Sequence, residues 1–388
     1  MVLQRGAGGG AAAGIDGVAS PPGDVHPTGG ELISRYLAPL ATHPAIAPAL
    51  RTGSQVIAVA RAGTDKVRNE GRQERPFVVR LRSHTGEDEI LASAVIDASG
   101  TWDTPNRSRS GALGAVGEAT PAVARHISYA MPDVLGRERG RFAGRRIAVL
   151  GAGHSAIGTL VDLDRLAAEA PGTAVTWLMR SEQTGTSFEG GEKDQLAARG
   201  ALTTEAAALA ASGRVHVRTG IRIDRLREQA GALAIVTDRS ETILVDELVV
   251  ATGFRPDHAL ASELRLSLDP ALECPSLLAP MIDPNLHSCG TVRPHGHAVL
   301  SHPDTGYFIA GMKSYGRAPT FLMATGYEQV RSIVAHLAGD AAAADDLRLV
   351  LPETGVCSTD RRMDEGRPVG AGCCGKAPAA VRVPEMQD

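Results

Sequence analysis

From Gly30 to about Gly339 the apolar positions of this chain switch repeatedly between a helical and a strand period. Leu32, Ile33, Tyr36, Leu37 and Leu40 fall at three- and four-residue steps, which gather on one helix face. Short strand-like runs follow at Gln55 to Ala60, Phe77 to Leu81 and Ala94 to Asp97. The strongest run, Ile147 to Leu150, passes through glycine into a helical spacing at Ile157, Leu160, Val161, Leu163 and Leu166. Pro171-Gly172 punctuates that helix, and Thr173 to Met179 reads as the next strand. Leu248 to Val250 and Tyr307 to Ile309 are further strands, the latter followed by a helical stretch from Thr320 to Arg331. Strands alternating with helices predict an α/β fold built on parallel sheet.

The turn after Leu150 is the most specific signal. Gly151-x-Gly153-x-x-Ala156, with His154 and Ser155 opening the helix, follows a buried-type strand directly. In that context the first glycine permits a tight turn, the second admits a pyrophosphate, and the small third residue lets helix and strand pack closely. The positive helix end then meets the phosphates. The strand from Thr173 to Met179 ends in Arg180-Ser181, where an acid would bind the 2′-hydroxyl of NAD. A guanidinium there suits a 2′-phosphate, so the expected nucleotide is NADP(H).

Two other strands end in related turns. Asp97-Ala98-Ser99-Gly100-Thr101-Trp102 and Ala251-Thr252-Gly253-Phe254-Arg255-Pro256 flank the fingerprint on either side. Together these three motifs resemble the flavoproteins with two dinucleotide-binding domains, and most closely the flavin-containing monooxygenases. A third region, Gly306 to Lys313 followed by Thr320 to Arg331, resembles the element whose helix start faces the pyrimidine side of the flavin. The segments Met281 to Pro294 and Met312 to Pro319, with a cysteine-bearing tail, are similar to the flavin-binding monooxygenases of actinobacterial arsenic-resistance gene clusters.

The resemblance implies two Rossmann-like (FAD/NAD(P)-binding) domains, with the NADP domain inserted into an FAD-type domain. The expected division is a low-complexity tail at 1–28, a first FAD-type segment at 29–129, the NADP domain at 130–251, a second FAD-type segment at 252–345, and a tail at 346–388. It implies FAD contacts at Ser99, Gly100, Thr101, Thr252, Gly253, Gly311 and Thr320, beside the NADP contacts at Gly151, Gly153, His154, Ser155, Ala156, Arg180 and Ser181. Such proteins open with their own strand, Gly-x-Gly-x-x-Gly turn and helix, and nothing before Gly30 reproduces that unit. The run Gly6 to Gly10 has too few residues before it to form a strand, and Pro21-Pro22 interrupts any helix after it. The FAD-type domain is therefore expected to lack its first βαβ unit.

The chain has 388 residues, room for two domains with cores of their own, and a formal net charge of −4. Its scattered Lys and Arg give no reason to propose nucleic acid or an anionic membrane as partner. No apolar run reaches membrane-span length and no secretion signal is evident, so a cytoplasmic location and a small-molecule substrate are expected.

In the implied chemistry the cofactors carry the difficult steps. Accordingly no catalytic triad or paired-carboxylate set is found, and His126 reads as structural. His287, Cys289, His295, His297 and His302 lack metal-site spacing and read better as a loop lining a pocket, so no metal is expected. Cys357, Cys373 and Cys374 form a candidate soft-ion set beside the plainer reading of incidental thiols. Two functions follow: an NADPH-dependent, FAD-linked oxidoreductase of the monooxygenase type, or a NADP-binding protein that senses or binds a metalloid without turnover.

Overall fold

In the computed structural model, residues 27–182, 197–286, 292–319 and 321–349 are described. Strands are β1 (Gln55–Arg61), β2 (Phe77–Ser83), β3 (Gly86–Ala92), β4 (Val95–Asp97), β5 (Ile127–Tyr129), β6 (Arg146–Leu150), β7 (Ala174–Leu178), β8 (Val215–Arg218), β9 (Ile223–Gln229), β10 (Ala232–Thr237), β11 (Thr242–Val245), β12 (Glu247–Val250) and β13 (Tyr307–Ile309). The longer helices are a fingerprint helix (His154–Glu169), a second helix (Ala197–Ser212) and a carboxy-terminal helix (Met323–Leu337).

Five strands form a parallel sheet in the order β5-β12-β6-β7-β8. Its central strands are apolar on both sides because both faces are covered. On one face Ile147, Val149, Val175, Trp177 and Val249 pack against Ile157, Leu160, Leu163 and Leu166 of the fingerprint helix, with Ala206 and Leu209 of the second helix. On the other face Ala148, Leu150, Leu178, Leu248 and Val250 meet Ile223, Leu226, Leu233, Ile235 and Val245 of the antiparallel meander β9-β10-β11. The period-two alternation within β6 thus feeds two separate cores. β5, which the sequence reading assigned to the first FAD-type segment, pairs with β12 and belongs to this sheet. Residues ahead of it also lie here, since Arg109 and Val116 bridge to β9.

A second unit surrounds the parallel pair β4 and β13. The antiparallel meander β1-β2-β3 covers one face, where Phe77, Val79 and Leu81 pack on Tyr307 and Ile309. Phe308 and Ala310 face the other side, toward Ile333 of the carboxy-terminal helix and Tyr315. Buried Asp304, just ahead of β13, ties this unit to the meander. It accepts from Arg72 at 2.8 and 2.9 Å, from Arg61 at 3.4 Å and from the Arg265 amide at 2.7 Å. Two guanidiniums therefore satisfy one carboxylate that burial would otherwise penalise. Before this unit, Gly29–Leu32, Ile33–Leu37 and Ala38–Thr42 form one helical stretch, started by a Thr28–Glu31 capping box.

Candidate functional site

The order β12-β6-β7-β8 reverses between β6 and β12, and in such sheets ligands bind outside the carboxyl ends at the reversal. The fingerprint turn sits there. Gly151 has φ of 136°, and a Cβ on it would lie 2.3 Å from the Ala251 carbonyl oxygen, so the glycine is demanded by contact with the exit of β12. The Trp177 indole N–H donates to the Gly151 carbonyl at 2.6 Å and fixes the turn from β7.

Gly153 differs. Its φ is −84°, and a Cβ there would meet no described atom within 4 Å. Neither backbone conformation nor packing among the described residues demands this glycine, and the open space fits a ligand cradle. Gly153 is also the N-cap of the 16-residue fingerprint helix, and no side chain caps that end. Ala156 is fully buried against the turn, while His154 is exposed and Ser155 half-buried at the helix start. Arg180 and Ser181 lie exposed just past the end of β7, as the sequence placed them. The residues present therefore fit a dinucleotide.

The other two turns come together although they are far apart in sequence. Asn106 N–H donates to the Gly253 carbonyl at 2.9 Å, and Arg255 N–H donates to the Thr104 carbonyl at 3.0 Å. The Thr104 hydroxyl also donates to the Arg255 carbonyl, and the Asn106 amide donates to the Thr252 carbonyl at 3.1 Å. Trp102 stacks on Phe254 with ring centroids 5.5 Å apart, leaving the indole 68% exposed. Thr101 is buried, and its carbonyl accepts from Thr104 N–H at 3.1 Å. Two chain crossings thus run side by side between the parallel sheet and the β4/β13 unit.

Ser99, Gly100 and Gly311 share the carboxyl ends of β4 and β13, where Ala310 N–H donates to the Asp97 carbonyl at 3.0 Å. At Gly100 and Gly311 a Cβ would meet no described atom within 4 Å, leaving open space among the described residues beside both turns. The uncapped start of the carboxy-terminal helix follows, with the Thr325 hydroxyl buried and without a hydrogen-bond partner among the described residues. This open corner at a helix start fits the ring end of a flavin; Thr320 lies outside the described residues. Within the β4/β13 unit, the described residues hold no second strand, Gly-x-Gly turn and helix.

Beneath the corner lies a charged cluster that the sequence reading did not single out. The Lys313 ammonium donates to Asp97 Oδ2 at 2.7 Å and to the Ser99 hydroxyl at 3.1 Å, and the Tyr307 hydroxyl donates to Asp97 Oδ2 at 3.0 Å. Burial alone would raise the Asp97 pKa, but Lys313 and Ser99 outweigh it and hold the carboxyl below its ordinary value. The signal was present in the sequence as an acid closing a β4-type strand and a lysine two residues past Gly311. Only the pairing of β4 with β13 joins them.

His295, His297 and His302 do not converge. His295 Nδ1–H donates to the Arg293 carbonyl at 3.0 Å, leaving Nε2 to accept from the Gln329 amide at 3.2 Å. Gln329 Oε1 accepts from Gly311 N–H at 2.9 Å, so this histidine supports the Gly311 turn from behind. His297 bonds Ser332 and His302 accepts from Ser267 N–H. His126 is a satisfied structural residue whose Nδ1–H donates to the Asp246 carbonyl at 2.8 Å. His287, Cys289, Cys357, Cys373 and Cys374 lie outside the described residues. Cys274 is the one cysteine among the described residues, and burial pushes its thiol up to about 12.

These features define the class of fold: a Rossmann-type α/β protein in which a five-stranded parallel sheet with a Gly-x-Gly turn stands beside a second unit built on the parallel pair β4 and β13. Comparison with solved structures agrees. The chain is similar to the bacillithiol disulfide reductase Bdr (YpdA) from Staphylococcus aureus, with TM-score 0.52 and 15% identity over 80% of this chain and 76% of that one. It is likewise similar to DfoA bound to FAD, the desferrioxamine-pathway cadaverine monooxygenase of Erwinia amylovora, with TM-score 0.50 and 16% identity over 80% and 74% of the two chains. No protein-family model and no curated protein sequence matches this chain.

Proposed function

We propose that this chain is a flavin-linked oxidoreductase that takes reducing equivalents from NADP(H), of the monooxygenase type and acting on a small molecule. The observation that carries the reading is Gly153, a glycine required by neither backbone nor packing, standing at the uncapped helix start beside the sheet's reversal point. Gly151, Gly153, His154, Ser155 and Ala156 would hold the pyrophosphate, and Arg180 with Ser181 would meet the adenosine ribose. Ser99, Gly100, Gly311 and the start of the carboxy-terminal helix would hold the flavin ring, with Thr101, Thr252 and Gly253 at the crossings. When bound, a flavin supplies hydride acceptance and oxygen activation. The helix start contributes N–H dipoles that favour negative charge on a bound ring. Lys313 and Asp97 hold the Ser99-Gly100 turn in register with Gly311.

The monooxygenase type rests on the resemblance of the Ser99-Gly100 and Thr252-Gly253 turns; among the described residues Cys274 is buried with a raised pKa and is unsuited to thiolate attack. The similarity of Met312 to Pro319 to the arsenic-cluster monooxygenases directs the first substrate trials to organic and inorganic arsenicals. One observation favours a second reading, a NADP-binding sensor: among the described residues there is one strand, Gly-x-Gly and helix unit. Anaerobic titration with NADPH, followed by FAD titration read by visible absorption and NADPH oxidation, separates the two. Flavin binding with NADPH oxidation supports the enzyme; nucleotide binding without flavin supports the sensor; binding of neither overturns both.

A further inference from the structure

The exit of β7 carries more chemistry than Arg180. Glu182 lays its carboxylate against Gly220, a residue at φ of 66°, where a Cβ would come within 2.5 Å of the acid. Gly220 N–H donates to the Ser181 carbonyl at 2.8 Å and locks the exit of β7 to the residues after β8. From the opposite side Arg239, in the tight turn between β10 and β11, brings its guanidinium to 3.1 Å from Glu182. That turn is anchored by the Arg218–Glu241 pair at 2.5 Å. Arg180 itself is exposed and makes no ion pair among the described residues. Two cations and one acid therefore stand where a Rossmann sheet places the adenosine ribose.

We propose that Arg239 is a second guanidinium of the 2′-phosphate subsite, with Glu182 as its placeholder partner when no phosphate is bound. The inference rests on the NADP(H) reading above. The side chains of Arg239 and Glu182 are 67% and 60% exposed, and an ion pair so exposed is held weakly. A phosphate offers Arg239 a bidentate, doubly charged partner in place of a single carboxylate. A ribose with a free 2′-hydroxyl leaves the pair intact and gains nothing from Arg239. Glu182 competes with the phosphate, so its charge opposes NADP(H) and not NAD(H).

The test is calorimetric titration of the full chain with adenosine 2′,5′-bisphosphate, adenosine 5′-monophosphate, NADPH and NADH. Arg239→Ala is expected to weaken the bisphosphate and NADPH by about tenfold while leaving the other two ligands nearly unchanged. Glu182→Gln is expected to tighten the bisphosphate. Circular dichroism confirms that each variant is folded. Bisphosphate affinity unchanged in Arg239→Ala, or an equal loss for all four ligands, overturns the proposal; in the second case the arginine only braces the turn. If wild type still prefers NADPH and only Arg180→Ala removes the preference, this inference alone fails. If wild type shows no preference, the NADP(H) reading fails with it.

Discussion

At the scale of single residues, the two fingerprint glycines are expected to separate binding from folding. Gly153→Val projects a side chain into open space, so circular dichroism and the melting temperature should stay close to wild type while NADPH binding is lost. Gly151→Ala instead drives a methyl onto the Ala251 carbonyl at a φ that alanine resists, and should lose soluble, folded protein. The opposite pattern would place the ligand elsewhere. Lys313→Met leaves the Asp97 carboxylate buried without its cation and is expected to cost about 3–5 kcal/mol in urea unfolding. A loss under 1 kcal/mol would show that water takes over from the ammonium. These sites differ in legibility. The spacing Gly151-x-Gly153 is visible in sequence because one turn contains it, whereas Asp97 and Lys313 meet only through β4 and β13.

At the scale of elements, the loop from Ser108 to Glu118 depends on one carboxylate. Glu118 accepts from Ser108 N–H at 3.2 Å, Ser108 Oγ at 2.7 Å, Ala115 N–H at 2.7 Å and the Tyr129 hydroxyl at 2.7 Å. The Tyr129 hydroxyl, pushed up to about 12 by burial and by Glu118, remains a donor across the neutral range. Glu118→Ala orphans several buried donors and is expected to lower stability by about 3 kcal/mol, with faster amide exchange at Ser108 and Ala115. Unchanged exchange would show that other contacts close the loop. The same scale shows a strand pairing that periodicity does not declare. Ile127 to Tyr129 falls within the segment 29–129 by sequence because Ile127 and Tyr129, parted by Ser128, are too short a pattern to name a partner sheet. Pairing with β12 and packing of Ala115 and Val123 on the meander put it with the parallel sheet.

At the scale of the whole molecule, stability should fall as the medium turns acid in two stages. Burial, with the nearby His258, lowers the His302 pKa to about 4, and burial lowers that of His295. A histidine held below its unfolded value is protonated first in the unfolded chain, so this stability is full above about pH 6.5 and drains as pH falls toward 4. For Asp97 and Asp304 burial acts upward but Lys313 and Arg72 prevail, so both sit below their ordinary value. Their contribution is present above about pH 4 and is lost below it. Urea midpoints at pH 7.5, 5.5, 4 and 3 check the order: His302→Gln should flatten the fall between 7.5 and 4 and leave the fall below 4. NADPH at 100 times its Kd should raise unfolding stability by about 2.7 kcal/mol, and no shift would contradict a nucleotide site.

The sequence alone declared part of the element list, without β3, β8 to β11 or the second helix, and the one candidate site written within a single stretch of chain. Buried strand, glycine turn and helix are local, so periodicity and residue size declare β6, the fingerprint helix and β7, and Gly151, Gly153 and Ala156 with them. The likeness of the Ser99-Gly100 and Thr252-Gly253 turns was legible too, but not that they lie side by side. That depends on strand order and on backbone bonds between Thr104, Asn106, Gly253 and Arg255, which no periodicity encodes. Tertiary structure likewise decided which charges are buried as partners, Asp97 with Lys313 and Asp304 with Arg61 and Arg72. It also brought Arg239 to the exit of β7. In sequence these are isolated charges that read as solvated surface; a charge acquires its role from the partner the fold delivers and from the water the fold removes.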